Sequence, residues 1–382
     1  MAGYTGISLY IFEKRVAEIA EYVRKNRLDG AFIFSDEYRA GFTTYFSDYK
    51  PINVIEESPQ GIFITPEGHV TLFLGAINAQ SAAKVSWIKD IRNFSTLSEY
   101  FKTLKEKKGE PLLIGLSGQE LLPVKYFRLL QGWLVGNDYI DMDEKLTAMR
   151  AVKEQEEIEL AKYAAKIGDM SLKACVEQMK NREVTEIDLC ATAEYVMKSN
   201  GCDLSCATVL SSGMNTEVPT WRPTHKKIGN GEAVIIDVAP AYKGYATDVA
   251  ITVINGKAAK EQEDILKASR DTVIRSIESL RPGEPACRIY EMFLMNAKKN
   301  HVEQFFEPYA KGLRAVGHSI GLDCVERPNL DDDASFIMEP GMTLATKFDL
   351  HGMAWGGLRI EAVMLVEEDR CSSLNRYLYE LP

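Results

Sequence analysis

The sequence predicts an α/β domain followed by an α+β domain. Three observations carry this. The 382 residues exceed one ordinary domain. Short strand-like runs alternate with helical ones through the first part of the chain. Near Met149 the pattern changes to a long amphipathic helix, then to pairs of strands and helices. The boundaries read as 1–147 and 150–382.

The elements follow in order. Residues 8–27 place Phe12, Val16, Ile19 and Val23 on one face of a helix. DGAFIFS is a short buried strand, and GIFITPEGHVTLFLG a hairpin turning at Pro66-Glu67-Gly68. PLLIGLSG is a further strand and ELLPVKYFRLLQGW a helix. AVKEQEEIELAKYAAKIGDMSLKACVEQMK is rich in good helix formers and reads as one long helix. Another helix begins at Glu186, with Thr185 as its N-cap. The strands EAVIIDVAP and YATDVAITVI come next, then helices over 258–280 and 285–299, parted by RPGEP. The strands MTLATKFDL and RIEAVMLVEE close the chain.

Composition excludes several functions. A net charge of −10 is the wrong sign for a nucleic-acid partner. No apolar run approaches the roughly 18 residues that span a bilayer, and the start has no signal-peptide pattern. The expectation is a cytoplasmic protein with no membrane partner, acting on a small molecule. Its seven cysteines are odd in number and irregular in spacing, which reads as reduced thiols. Cys202 and Cys206 are the one close pair, and no second ligand pair accompanies them. Cys324 reads as a packed thiol.

The chemistry lies in the second half. Asp237 and Asp248 stand eleven residues apart across a turn in VIIDVAPAYKGYATDVAITV. In adjacent antiparallel strands they meet on one face. Two carboxylates brought together call for a shared cation or proton. His318 in VGHSIGLD and Glu361 in GLRIEAVMLV follow, each in its own strand-like segment.

These motifs resemble, in order and over nearly the whole length, the pita-bread superfamily of creatinase, prolidase, Xaa-Pro aminopeptidase and methionine aminopeptidase. FEKRVAEIAEYVRKNRLDGAFIFS is similar to its creatinase-type N-terminal domain, and SSGMNTEVPTWRPTHKKIGNGEAVIIDVAPAYKGYATDVAIT, GHSIGLD, MEPGM and GLRIEAVMLV to its catalytic motifs. The resemblance implies a pita-bread C-terminal domain and a homodimer. It also implies two divalent ions held by two Asp, one His and two Glu, which activate water against an amide. The matching ligands are Asp237, Asp248, His318 and Glu361. The fifth position, 29 residues after His318 and 14 before Glu361, is Lys347. Two auxiliary histidines of the family are replaced by Thr220 and Val325, and the second Gly of its GHG motif is Ser319.

An ammonium among carboxylates stays charged and does part of a metal's work. The main expectation is therefore a creatinase/prolidase-like hydrolase of a C–N bond, without the two-metal cofactor. His318 would carry protons, aided by Asp248, Lys347 and Glu361. Thr220, Arg222, His225, His351 and Arg359 are the candidate substrate contacts. The alternatives are a metal-dependent Xaa-Pro peptidase with one or two Mn, Co or Zn ions, and an inactive binding protein.

Overall fold

A computed structural model describes residues 3–51, 58–180, 183–307, 312 and 315–381. The chain divides into two compact units, Met1–Arg150 and Ala151–Pro382.

The first unit is a six-stranded mixed sheet with helices. Its strands are β1 (Gly30–Ser35), β2 (Gln60–Ile64), β3 (Val70–Leu74), β4 (Asp90–Asn93), β5 (Ile114–Ser117) and β6 (Ile140–Asp141), in the order β4-β3-β2-β1-β5-β6. Phe12, Val16, Ile19 and Val23 are all buried along α1 (Leu9–Lys25), as their spacing predicts. On the sheet, Phe32, Phe63 and Phe101 meet edge to face at 5.3–5.9 Å.

The stretch from Ala151 to Lys180 is not one helix. A helix over Asp143–Ala151 stops, and a second, Gln155–Gln178, begins after Glu154. The Glu154 amide donates to Glu157 Oε2 at 2.8 Å, the Glu157 amide donates to Glu154 O at 2.9 Å, and the Lys153 amide donates to Gly341 O instead of to a preceding turn. Glutamate also suits a helix interior, so composition alone hides the break.

The second unit carries a large sheet: β14 (Glu326–Asp331), β13 (Ala315–Ser319), β15 (Thr343–Met353), β16 (Gly356–Val366), β12 (Val249–Ile254), β9 (Ala233–Val238) and β8 (Val209–Ser212), in that order, with β17 (Cys371–Ser373) also pairing with β16. A small sheet joins β11 (Tyr245–Ala246), β10 (Pro240–Tyr242) and β7 (Cys202–Leu204). Strand alternation sorts the side chains. Val234, Ile236, Val238, Val249, Ile251, Phe348, Leu350, Leu358 and Ile360 join one apolar core with residues of the Gln155–Gln178, Glu186–Ser199, Lys260–Ser279 and Arg288–Lys299 helices. The intervening positions of the same strands, Asp237, Ala250, Lys347, Asp349, Arg359 and Glu361, take the opposite face. That face is the polar one. Among the described residues no helix is long and apolar enough to cross a membrane.

Candidate active site

Strand register sets the site. Lys347 on β15 lies directly opposite Glu361 on β16; Glu361 lies opposite Ala250 on β12, and Ala250 opposite Asp237 on β9. Four strands thus deliver an ammonium and two carboxylates in one row, with the methyl group of Ala250 leaving space between them. Asp248 sits two residues before Ala250, in the break between β11 and β12. His318 on β13 pairs with Ala345, two residues from Lys347 and on the same face. The floor beside these groups is made of small residues, including Ala239, Ala345 and Val363.

Close approach of the strands depends on Gly317. A Cβ there would lie 2.0 Å from Ala345 O. The next residue, His318, donates or accepts at Nδ1 with Ser319 O, 3.0 Å away. A carbonyl can only accept, so Nδ1 carries the proton and Nε2 presents its lone pair, 3.7 Å from Asp248 Oδ2. Burial, then the nearby Lys347 charge, hold the imidazole down at about 4, so it is neutral at physiological pH.

The acids are pushed the other way. Burial, then repulsion from Glu361 and Asp237, raise Asp248 well above the usual carboxylate range. Burial raises Glu361 to about 7, with Asp237 adding to the shift while Lys347 opposes it. Lys347 is raised chiefly by Glu361, against the cost of its own burial, and stays an ammonium. The Asp248, His318 and Glu361 ligand atoms all lie within 4.8 Å of one another. Oε1 of Glu361 is buried with no hydrogen-bond partner.

The candidate substrate residues separate. Arg359 is paired with two carboxylates: it donates to Asp237 Oδ2 at 2.7 Å and grips both oxygens of Asp349 at 2.9 and 3.0 Å. Burial opposes its charge, but Asp349 and Asp237 outweigh this and hold it far above its ordinary value. It positions Asp237 and gives its Nε–Nη2 fork to Asp349. His351 is buried, its Nε2 2.8 Å from Glu307 Oε2. His225 is exposed and interacts with Asp188 at the start of the Glu186–Ser199 helix, away from the cluster. Thr220 and Arg222 are exposed on the loop after β8, and Val325 is 59% exposed.

Two residues given no part in the site by the sequence shape this region. Buried Glu186 accepts from Ser212 N and Oγ, Asn215 Nδ2, Trp221 Nε1, and Thr224 N and Oγ1, at 2.7–3.1 Å. It fixes the loop carrying Thr220 and Arg222. Its position as the first residue of a helix was the one available signal. Cys324 is the other. It is buried, and its Sγ donates to Asp248 Oδ2 at 3.6 Å.

A creatinase-type first unit followed by a sheet bearing two Asp, a His and a Glu at these positions defines a creatinase/prolidase-type hydrolase. Family comparison agrees for both units. Residues 15–152 match the creatinase/prolidase N-terminal domain, and residues 159–368, more than half of the chain, match metallopeptidase family M24. The protein belongs to metallopeptidase family M24. It is 24% identical to an Xaa-Pro dipeptidase of Pyrococcus horikoshii over 372 residues, covering 97% of this chain and 99% of the relative. It is 26% identical over 375 residues to an uncharacterised peptidase of Methanocaldococcus jannaschii, covering 96% of each. In three dimensions it is similar to the prolidase of Pyrococcus horikoshii (TM-score 0.83, 23% identity, 95% of this chain and 98% of that one). It is also similar to an X-Pro aminopeptidase of Thermotoga maritima (TM-score 0.82, 20% identity, 96% and 98%).

Proposed function

We propose that this protein is a metal-dependent peptidase of the Xaa-Pro dipeptidase type that works with one divalent cation, Lys347 standing in for the second. The observation that carries the reading is the Asp248–His318–Glu361 triad, with Lys347 held opposite Glu361. This departs from the metal-free expectation for a physical reason. Among the described residues, Asp237, Asp248, Asp349 and Glu361 have two fixed cations beside them, Lys347 and Arg359. With all four acids ionised, the deficit of two negative charges is that of one divalent ion. Replacing a ligand Glu by Lys changes the local charge by two, which removes the need for the other ion. The orphaned Oε1 of Glu361 and the outward lone pair of His318 Nε2 suit a cation. A second ion near Lys347 would meet about 4 kcal/mol of repulsion per charge product at 4 Å and an effective dielectric of 20.

Asp248, His318 and Glu361 would hold the ion, which supplies Lewis acidity toward the scissile carbonyl. Ser319 O keeps the imidazole in the tautomer that binds a metal. Lys347 offers a fixed positive charge to the negative charge that develops on the carbonyl oxygen. Arg359 keeps Asp237 in place beside it. The loop pinned by Glu186 carries Thr220 and Arg222, and Arg222 can meet a substrate carboxylate. The seven free cysteines support a cytoplasmic setting, and the family resemblance supports a homodimer acting on small peptides.

The test is elemental mass spectrometry after equilibration with manganese, cobalt or zinc, with a Pro-containing dipeptide assay alongside. About one ion per chain with dipeptide cleavage is the expected result. Less than about 0.2 ion per chain would return the reaction to metal-free chemistry. Near two would show that Lys347 leaves the cluster.

A further inference from the structure

We infer that Lys153 and Glu326, a buried ion pair outside the cluster, are positioning residues for the site: they clamp the turn between β13 and β14, and through it set His318 and Cys324 against Asp248. The inference rests on the reading that Asp248 and His318 hold the ion. Lys153 Nζ lies 3.4 Å from Glu326 Oε2, with 2% and 4% of the two side chains exposed. The same ammonium donates to Ser319 Oγ and to Ala151 O, each at 3.4 Å. Glu326 stands opposite Ser319 in the β13–β14 register, so the pair closes the turn where its two ends meet.

Both partners are anchored. The Lys153 amide donates to Gly341 O at 3.0 Å and Val152 bridges to Met342, which fixes the Lys153 backbone beside the start of β15. Gly341 permits this approach: its φ is +94°, and a Cβ there would lie 2.9 Å from Lys153 O. On the other side, Glu326 Oε1 accepts from the Asp323 amide at 3.2 Å, inside the turn. A Cβ on Gly321 would lie 2.8 Å from that oxygen, so the turn wraps closely around the carboxylate. The Ala246 amide donates to Gly321 O at 2.8 Å and ties the turn to β11, two residues before Asp248.

The turn delivers two groups to one atom. His318, just before it, places Nε2 3.7 Å from Asp248 Oδ2, and Cys324, near its end, donates from Sγ to the same oxygen at 3.6 Å. The carbonyl that keeps the His318 proton on Nδ1 belongs to Ser319, the residue whose hydroxyl Lys153 holds. Groups one step behind a metal ligand fix its orientation and tune its affinity. Replacing both charges of a buried pair by neutral groups often leaves stability unchanged, whereas removing one partner does not. Positioning and stability are therefore separable by experiment.

The experiment compares the full-length protein with K153M/E326Q, which removes both charges but keeps an acceptor for the Asp323 amide. Chelator-treated protein, isotope-labelled at the histidine nitrogens, is read by NMR, with the His318 signal identified by its absence from H318A. Manganese affinity is measured by calorimetry and folding by urea unfolding. The wild type should show one His318 tautomer, protonated at Nδ1. The double variant should unfold at a similar urea concentration, show both tautomers, and bind manganese about 10–100-fold more weakly. K153R, which keeps the charge, should retain the wild-type tautomer. S319A deletes one Lys153 contact and leaves both charges, so it serves as the second variant; a smaller loss of manganese affinity in the same direction is expected. The inference is overturned if His318 keeps its single tautomer and manganese affinity is unchanged in these variants. If the wild type itself takes up no manganese, the metal reading falls, and the tautomer comparison alone decides whether the pair positions His318.

Discussion

Lys347 decides the charge of the cluster, and a single substitution tests that role. In K347E the local charge falls by two, and the row from β15 to β9 again holds carboxylates at every polar position. The expected result is a rise from about one to about two manganese ions per chain, measured by elemental mass spectrometry, with folding unchanged by circular dichroism. An unchanged stoichiometry would mean that Lys347 does not limit metal loading. Asp237, Asp248, His318, Lys347 and Glu361 were legible in the sequence because each sits in a compact motif, on a strand that fixes its face or, for Asp248, immediately before one. The partners of Arg359 were not. Asp349 has no motif of its own, and only the β15–β16 register, with Asp349 opposite Arg359, reveals the clamp.

At the scale of elements, two side chains join site to scaffold. Glu186 opens the Glu186–Ser199 helix and ties it to the loop after β8. Burial raises its pKa, but its hydrogen bonds to Asn215, Thr224, Ser212 and Trp221 prevail and hold it below the ordinary glutamate value. The sign follows from a depressed folded value. The stabilisation is complete above the unfolded pKa and is lost as pH falls through the lower folded one. E186Q should therefore cost about 2–3 kcal/mol in urea unfolding at neutral pH. The gap to wild type should narrow between about pH 5 and pH 3. A gap independent of pH would remove the charge from the explanation. Phe348, on the opposite face of β15 from Lys347, stacks on Phe306 at 5.1 Å and meets Phe293 edge-on at 5.5 Å. F348A should lose about 3–5 kcal/mol of stability, again read by urea unfolding. The alternation that makes Phe348 core and Lys347 polar was visible in MTLATKFDL. The break before Gln155 was not, because the Glu157 carboxylate that accepts from the Glu154 amide belongs to a residue type that also favours a helix interior.

For the whole molecule, the polar face of the second unit concentrates negative charge where apolar burial cannot offset it. Asp248 is pushed toward its protonated form by burial and by Glu361 and Asp237, and Glu361 by burial and Asp237 against the pull of Lys347. A bound cation relieves this repulsion only in the folded chain, so loading and folding are linked. At a free concentration a hundred times Kd, the gain is about 2.7 kcal/mol. For a unit of this size that corresponds to roughly 5–10 °C in Tm. Hydrogen exchange locates the effect. Amides of β9, β12, β13, β15 and β16 should gain protection with manganese and lose it on chelation, because those strands or their edges carry the proposed ligands or the charged groups beside them. Strands β1–β6 of the first unit carry none of these residues and serve as the internal reference. Equal protection across both sets of strands would indicate a nonspecific ion effect; protection confined to the second set, abolished in H318A, would locate the ion at the Asp248–His318–Glu361 triad.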